Sequence, residues 1–214
     1  MKNKTIKSIA LLALCSLSLP THAAVVYTAN FDTQAVGSTI DGWTEEGLTG
    51  DNAAVEAGFN TTGDNSVYFN TGAGGLREEA IYADTSTANT SSFQFTLSYD
   101  LIGKTGQLYS GAFLAQIWAG TPGGGGLLLG EDTGINPAGG ASQTNQLVVN
   151  GTSAVGNIFI RFYAQDADGA GNAAFEQARM DNVSLDASPI PEPSSGILCA
   201  FGGMLAICFR RRRA

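Results

Sequence analysis

The stretch SSFQFTLSYDLI at residues 91–102 decides the fold class of this chain. Apolar and polar residues alternate without a break from Phe93 to Leu101, so the two kinds of side chain point to opposite faces of an extended strand. This run predicts a half-buried β-strand. A second run, IFIRFY at residues 158–163, is apolar on both faces and predicts a strand in the centre of a sheet.

Seven further segments have the composition of short strands. They are residues 25–31, 53–57, 66–70, 79–83, 112–119, 146–150 and 179–186. Breaks rich in glycine, asparagine, aspartate and threonine separate them, and none of the segments has helical periodicity. The pattern predicts an all-β fold, with residues 24–188 forming one antiparallel sandwich.

The N-terminal residues have the three parts of a secretory signal peptide. Lys2, Lys4 and Lys7 make a basic start, residues 9–19 are apolar, and small residues follow Pro20. We expect residues 1–23 to be the signal peptide, cleaved after Ala23 by signal peptidase on the general secretion pathway. An uncleaved N-terminal anchor is the alternative, which the short apolar region disfavours.

The C-terminal residues 189–214 also have three parts in a fixed order. Pro191, Glu192 and Pro193 form a stiff extended segment because proline fixes φ and cannot continue a helix. Residues 194–209 predict a transmembrane helix of about 24 Å at about 1.5 Å per residue, slightly short for a bilayer core of about 30 Å. The last part is a basic cluster made of Arg210, Arg211, Arg212 and Arg213. The positive-inside rule predicts that this cluster stops translocation and stays in the cytoplasm.

This tail resembles the PEP-CTERM sorting signal, in which Pro-Glu-Pro precedes a short membrane helix and a basic cluster. The resemblance implies that an exosortase recognises the tail and processes the protein. The chain would then be anchored transiently in the inner membrane and end at the cell surface or outside the cell. Release and transfer to another anchor are both compatible with the resemblance, and an ordinary C-terminal tail anchor is the alternative.

The exported region at residues 25–188 contains neither cysteine nor histidine, since the three cysteines and the single histidine lie in the two targeting segments. This composition excludes disulfides, a cysteine nucleophile, a Ser-His-Asp triad and histidine-ligated metals. The same region has 18 acidic residues and four basic ones, a net charge of −14. We therefore expect no nucleic-acid partner, whereas divalent cations and neutral polysaccharides are compatible with this charge, which also maintains solubility.

Asp181 is the first candidate for a metal ligand. Strand alternation places it on the same face as Val183 and Leu185, and a buried carboxylate needs a partner. An arginine such as Arg179 is one candidate partner and a metal is the other. Because the ends of a domain commonly meet, the opening residues up to Asp32 are expected beside the last strand.

The opening Asn-Phe-Asp at residues 30–32 and the closing Asp-Asn-Val-Ser-Leu at residues 181–185 resemble jelly-roll carbohydrate-binding modules. The resemblance implies a structural Ca²⁺ that joins the first and last strands through Asp32 and Asp181. Ordinary hydrogen bonds to Asp181 are the alternative. A second acidic segment, residues 166–172, begins like an EF-hand loop but departs from its spacing, so it predicts a turn.

The sequence predicts no enzyme. Catalysis by carboxylates needs two of them facing each other, whereas Glu45 and Glu46, like Glu78 and Glu79, are adjacent and point to opposite faces of a strand. Sugar binding would instead need exposed aromatic rings. The candidates are Trp43, Tyr109, Trp118, Tyr163 and Phe175.

Of these aromatic residues, Trp43 follows Asp41-Gly42 in an expected loop and is the predicted ligand-binding residue, while Trp118 is expected in core or rim packing. Two functions remain. One is a surface or extracellular-matrix protein with a structural or adhesive role in exopolysaccharide. The other is a carbohydrate-binding module with a defined glycan ligand.

Overall fold

The structure is a computed structural model that describes residues 22–46, 53–57, 64–70, 78–102, 112–133, 142–165 and 177–190. The predicted sorting tail from Pro191 onward, the acidic segment at 166–172 and all but the last two residues of the predicted signal peptide lie outside the described residues. Within them, no helix is long and apolar enough to cross a membrane.

Eleven strands make up the described part of the chain. They are β1 (Ala24–Ala29), β2 (Thr44–Glu46), β3 (Ala54–Ala57), β4 (Asn65–Asn70), β5 (Glu78–Ala88), β6 (Phe93–Ile102), β7 (Ala112–Ala119), β8 (Leu127–Thr133), β9 (Ser142–Asn150), β10 (Asn157–Gln165) and β11 (Gln177–Pro189).

These strands form two antiparallel sheets. The first sheet has the order β3-β4-β11-β6-β9, with β1 also paired to β11, and the second has the order β2-β5-β10-β7-β8. The predicted all-β sandwich is confirmed. The central place of β10 in the second sheet agrees with the apolar residues that its sequence carries on both faces.

The last strand, β11, has two partners along one of its edges. Its first residues pair with β4 up to Met180, and its later residues pair with β1 from Val183 to Ala187. Asn182 lies between the two pairings with a φ of 52°, a left-handed conformation that asparagine tolerates better than most residues. The regular extended conformation of β11 is therefore interrupted at Asn182, between its pairing with β4 and its pairing with β1.

The core between the sheets is built around aromatic rings. Tyr99 from β6 contacts Phe162 from β10 with ring centroids 5.0 Å apart, and Phe113 from β7 lies 5.3 Å from Phe69 of β4. All four side chains are fully buried. Aromatic contacts of this kind stabilise a core through their large buried area, so the sandwich closes without any disulfide.

The glycine run that follows β7 forms a tight turn. Gly126 donates its N–H to the carbonyl of Thr121, and a Cβ at Gly126 would lie 2.6 Å from the carbonyl oxygens of Gly120 and Thr121. No other residue fits there without a shift of the backbone. This turn connects β7 to β8 at the edge of the second sheet.

Candidate functional site

Three aspartates meet where β11 changes partners. Asp32 follows β1, Asp64 precedes β4, and Asp181 lies in β11 between the two pairings. One carboxylate oxygen from each residue lies within 4.8 Å of those of the other two. We call these three residues the carboxylate cluster.

Asp181 is the buried member of the carboxylate cluster, with 2% of its surface exposed, while Asp32 is exposed and Asp64 is half-buried. Its Oδ1 atom is buried and has no hydrogen-bond partner among the described residues. Burial raises the pKa of Asp181 to about 6 and the charges of Asp64 and Asp32 add to the rise, whereas backbone hydrogen bonds from Asn182 and Phe31 oppose it. The cluster therefore concentrates negative charge that the described residues do not neutralise.

The Asp32 carboxylate is held by a hydrogen bond from the start of β4, and further bonds fix the loop around it. The backbone N–H of Asn65 donates to the Asp32 carboxylate over 3.1 Å, and the Asn65 side chain donates to the backbone carbonyls of Asp32 and Gln34. The backbone N–H of Asp32 in turn donates to the side chain of Asn30. These bonds join the end of β1 to the start of β4 and hold the cluster together.

The donor set of the carboxylate cluster fits Ca²⁺. Carboxylate and carbonyl oxygens are the ligands that this ion prefers, and the unpartnered Oδ1 of Asp181 supplies one of them from the protein interior. The structure thus brings together Asp32 and Asp181, the two residues selected from the sequence, and adds Asp64. Asp64 lies in a polar break between strands, where the sequence pattern does not distinguish a ligand from a turn residue.

Arg179, which the sequence offers as a partner for Asp181, has other contacts. Its guanidinium pairs with Glu56 and lies over the ring of Tyr68, 5.3 Å from the ring centroid. The residues on either side of Tyr68 are in the core, so Tyr68 and its register partner Arg179 face away from the core. A cation remains the other candidate partner for the cluster.

The second candidate site is the outward face of the second sheet. Along β10 the residues Ile158, Ile160, Phe162 and Ala164 are buried in the core, so the residues between them face outward. Strand register arranges the outward residues in three rows. The rows are Asp84-Phe159-Trp118-Leu128, then Thr44-Tyr82-Arg161-Gln116-Glu131, then Glu46-Ala80-Tyr163-Leu114-Thr133.

We call these three rows the aromatic face, after its four rings. The rings of Tyr82 and Phe159 lie 6.0 Å apart, and Trp118 is the register partner of Phe159 on the next strand. Tyr163 lies in the third row beneath the Arg161 guanidinium, which is 4.9 Å from its ring centroid. All four aromatic side chains are half-buried, so each presents part of its surface to solvent.

A hydrogen-bond network connects the rows of the aromatic face. Arg161 donates from Nε and Nη2 to the two carboxylate oxygens of Glu46, both over 2.8 Å, and from Nη1 to Gln116 Oε1. Gln116 Oε1 also accepts from Trp118 Nε1 over 3.0 Å, and the Gln116 amide donates to Glu131. The network therefore fixes the orientation of the Trp118 indole as well as that of the polar side chains.

Trp43, the predicted ligand-binding residue, packs against the core. Its ring contacts those of Phe162, Tyr27 and Phe31, with centroid distances of 5.8, 6.1 and 6.2 Å. Its sugar-binding role stays a prediction. Trp118, expected in core or rim packing, lies on the aromatic face instead, because only the strand register shows which side of β7 is open.

Comparison with known proteins finds a match for the C-terminal tail. Residues 189–213 match the PEP-CTERM protein-sorting motif. This motif indicates export, an exosortase as the processing partner and a C-terminal membrane anchor before processing. No curated protein matches the chain.

Solved structures resemble the sandwich at low sequence identity. A cyclase from Fischerella sp. TAU is 17% identical with a TM-score of 0.59, and the match covers 78% of this chain and 98% of the cyclase. The arabinose-bound α-L-arabinofuranosidase MgGH51 is also 17% identical with a TM-score of 0.53, over 74% of this chain and 25% of the enzyme. At these identities the similarity shows the fold alone.

A third similar structure is the N-terminal CBM22-1-CBM22-2 tandem domain of Paenibacillus barcinonensis Xyn10C. It is 13% identical with a TM-score of 0.50, and the match covers 83% of this chain and 49% of the tandem domain. The jelly-roll resemblance of the sequence is therefore confirmed at the level of the fold.

Proposed function

We propose that the sandwich is a non-catalytic carbohydrate-binding domain whose aromatic face binds a glycan at the cell surface or in the extracellular matrix. The observation that carries this proposal is the group of neighbouring rings on three adjacent strands, with Phe159 and Trp118 in one row and Tyr82 in the next, 6.0 Å from Phe159. One side of a pyranose ring presents C–H groups, which stack favourably on the electron-rich face of an aromatic ring. Rings that are held in register on neighbouring strands can contact successive sugars of one chain.

The network beside the rings supports this proposal. Binding sites for small polar ligands combine apolar surface with a few fixed polar groups. Here Gln116 holds the Trp118 indole through Nε1. Arg161 donates to Gln116 and is itself held by Glu46. A ring that is already oriented loses little conformational entropy when it binds, which favours affinity.

The similar fold of a CBM22 tandem domain supports carbohydrate binding, while the similar folds of the cyclase and the arabinofuranosidase leave an enzyme as the competing function. The ion pair between Glu46 and Arg161 favours the non-catalytic alternative, because it occupies both oxygens of Glu46 and so leaves this carboxylate of the face poorly available as an acid or base. A domain of this kind would have a structural or adhesive role in exopolysaccharide.

We also propose that the carboxylate cluster holds a structural Ca²⁺. The unpartnered Oδ1 of Asp181 and the two neighbouring carboxylates support this assignment. The ion would cross-link β11 to the end of β1 and the start of β4. It would stabilise the sandwich and has no part in ligand contact.

Glycan retention by the Trp118→Ala variant tests the main proposal. Truncation of a central aromatic residue of a binding site commonly costs about 2 kcal/mol, so we expect a roughly thirtyfold loss of affinity. The assay is affinity electrophoresis of the full-length chain in detergent through gels that contain a panel of neutral and anionic polysaccharides.

Gln146→Ala is the matched control, because Gln146 is exposed on β9 in the other sheet. Equal migration of Trp118→Ala and wild type through a retarding gel would contradict the proposal. Release of soluble sugar from any polysaccharide of the panel would instead identify an enzyme.

Deletion of Arg210, Arg211, Arg212 and Arg213 tests the proposed route to the surface. Without the basic cluster we expect a larger, membrane-retained form, because the sorting motif is then incomplete. Immunoblots of membrane and surface fractions from the native host measure this, with Gln146→Ala, a change at an exposed residue of β9, as a control that leaves the motif intact. Normal maturation of the deletion variant would disprove processing through the motif.

A further inference from the structure

We infer that the aromatic face selects neutral glycans and rejects glycans that carry carboxylate or sulfate groups. This inference rests on the proposed function, since it names the ligand class of the same site. It follows from two features of the face. Its strong hydrogen-bond donors bond to acceptors within the protein, and its net charge is negative.

The strong donors of the aromatic face are directed at protein acceptors. Each of the three guanidinium nitrogens of Arg161 donates to Glu46 or Gln116. The Trp118 indole N–H donates to Gln116, whose own amide donates to Glu131. An anionic glycan needs a charged donor, and the Arg161 guanidinium is already paired with the Glu46 carboxylate.

The net charge of the face is negative, and its carboxylates, although hydrogen-bonded within the protein, keep further lone pairs that can accept from a ligand. Three of its residues carry carboxylates, Glu46 and Glu131 in the network and Asp84 beside Phe159. Arg161 is the single cationic side chain that the described residues contribute to this face. A sugar hydroxyl can donate to such carboxylates, whereas a uronate or a sulfate is repelled by them.

The remaining described arginine cannot supply the missing positive charge. Arg179 lies on the first sheet, where it pairs with Glu56. Charge therefore does not attract an anionic glycan to the rings. The affinity has to come from stacking on the rings and from hydrogen bonds that sugar hydroxyls donate to the face. Neutral polysaccharides can stack and donate hydroxyl hydrogen bonds without being repelled.

Two cellulose derivatives and two xylans provide matched probes for this selectivity. Hydroxyethyl cellulose and carboxymethyl cellulose share one backbone but differ in charge, as do arabinoxylan and glucuronoxylan. The full-length chain in detergent is tested by affinity electrophoresis and calorimetry against each pair at 50 mM and 500 mM salt. We expect at least tenfold weaker binding to the charged member at low salt, with a smaller difference at high salt because salt screens the repulsion.

The Glu131→Gln variant assigns the repulsion to the aromatic face. A glutamine there still accepts the hydrogen bond from Gln116 but removes one negative charge, so the discrimination should fall severalfold. Asp186→Asn is the control, because it removes an equal charge from β11 in the other sheet. Unchanged discrimination in Glu131→Gln, or a fall in Asp186→Asn as well, would overturn the assignment to this face.

The outcomes also separate this inference from the proposed function. Equal or tighter binding of the charged members would overturn the selectivity and leave glycan binding intact. A failure of the chain to bind any glycan of the panel would overturn the proposed function, and the selectivity with it.

Discussion

Asp181 and Arg161 are both charged residues on strands that line the core, but their surroundings differ. Arg161 is 13% exposed in its side chain, and all three of its guanidinium nitrogens have acceptors on Glu46 or Gln116. Asp181 is 2% exposed, has one oxygen without a partner and lies next to two further carboxylates. One charge is neutralised within the protein, whereas the other is surrounded by charges of its own sign.

This difference distinguishes two kinds of site. A completed network is rigid and needs nothing from outside, so the aromatic face can bind a ligand only through its rings and its remaining acceptors. An uncompensated carboxylate is costly in the folded state, and a bound cation or a proton removes that cost. Removal of Arg161 and removal of the Asp181 charge should therefore have opposite effects on stability in the absence of metal.

The largest expected effect is that of Arg161→Met. This change leaves Glu46 as a partly buried carboxylate without its cation, and a broken pair of this kind costs about 3 kcal/mol of unfolding free energy. Urea unfolding of the purified chain, followed by tryptophan fluorescence, measures the loss. The double variant Glu46→Gln with Arg161→Met should recover part of it, and a single variant as stable as wild type would show that the network contributes nothing.

Ca²⁺ should produce the next largest effect. A site that binds only the folded state stabilises by about 2.7 kcal/mol at a hundredfold excess over Kd, which corresponds to roughly 5–10 °C for a domain of this size. Thermal unfolding in millimolar Ca²⁺ and in chelator measures the shift. Asp181→Asn should abolish the shift, and Asp100→Asn, a change in β6, should retain it.

Identical melting curves of the wild-type chain in Ca²⁺ and in chelator would exclude a calcium site in the carboxylate cluster. Asp181 would then be a buried carboxylate that protonation alone stabilises. A shift that persists in Asp181→Asn would place the ion elsewhere in the chain. Both results would leave the proposed glycan binding unaffected.

The smallest of the three effects is a pH dependence in chelator. The folded-state pKa of Asp181 is about 6, above its ordinary value of 3.8, so the folded state binds its proton more tightly than the unfolded state does. Its contribution to stability is therefore fully present below about pH 4 and is lost as the pH rises through about 6. We expect a loss of about 2 kcal/mol, less than the full conversion of this shift at about 1.4 kcal/mol per pKa unit, because Asp32 is exposed and Asp64 half-buried, so solvent partly screens the cluster.

The difference in unfolding free energy between wild type and Asp181→Asn separates the pH dependence due to Asp181 from that of the other carboxylates. The variant should become the more stable protein in chelator as the pH rises from 4 to 7. A difference that does not change over this range would mean that the Asp181 carboxylate has its ordinary pKa.

Most strands could be predicted from the sequence, and two could not. The alternation in residues 91–102 predicts β6, where Phe95, Leu97 and Tyr99 are fully buried. The strands β2 and β8 were missed, because Thr44–Glu46 is only three residues long and Leu127–Thr133 does not alternate. Both lie at edges of the second sheet, where pairing with β5 or β7 rather than local pattern makes them strands.

The residues of the candidate sites could likewise be predicted only in part. Asp181 could be predicted as an inward residue because it shares its face with Val183 and Leu185, and both are buried. Asp64 could not be predicted, since it comes near the other two carboxylates only through the two pairings of β11. The placement of the two tryptophans has the same origin: neither the loop position of Trp43 nor the strand position of Trp118 shows which neighbouring residues pack against the ring.

The sequence by itself determined the sorting tail, the all-β class and the chemistry that the exported region lacks, because these depend on composition and on the order of neighbouring residues. The tertiary structure decided which carboxylates meet and which rings share a face, because residues far apart in the chain become neighbours only through strand register. Arg161 and Glu46 are 115 positions apart in the chain, and their hydrogen bonds depend on the order of β2, β5 and β10.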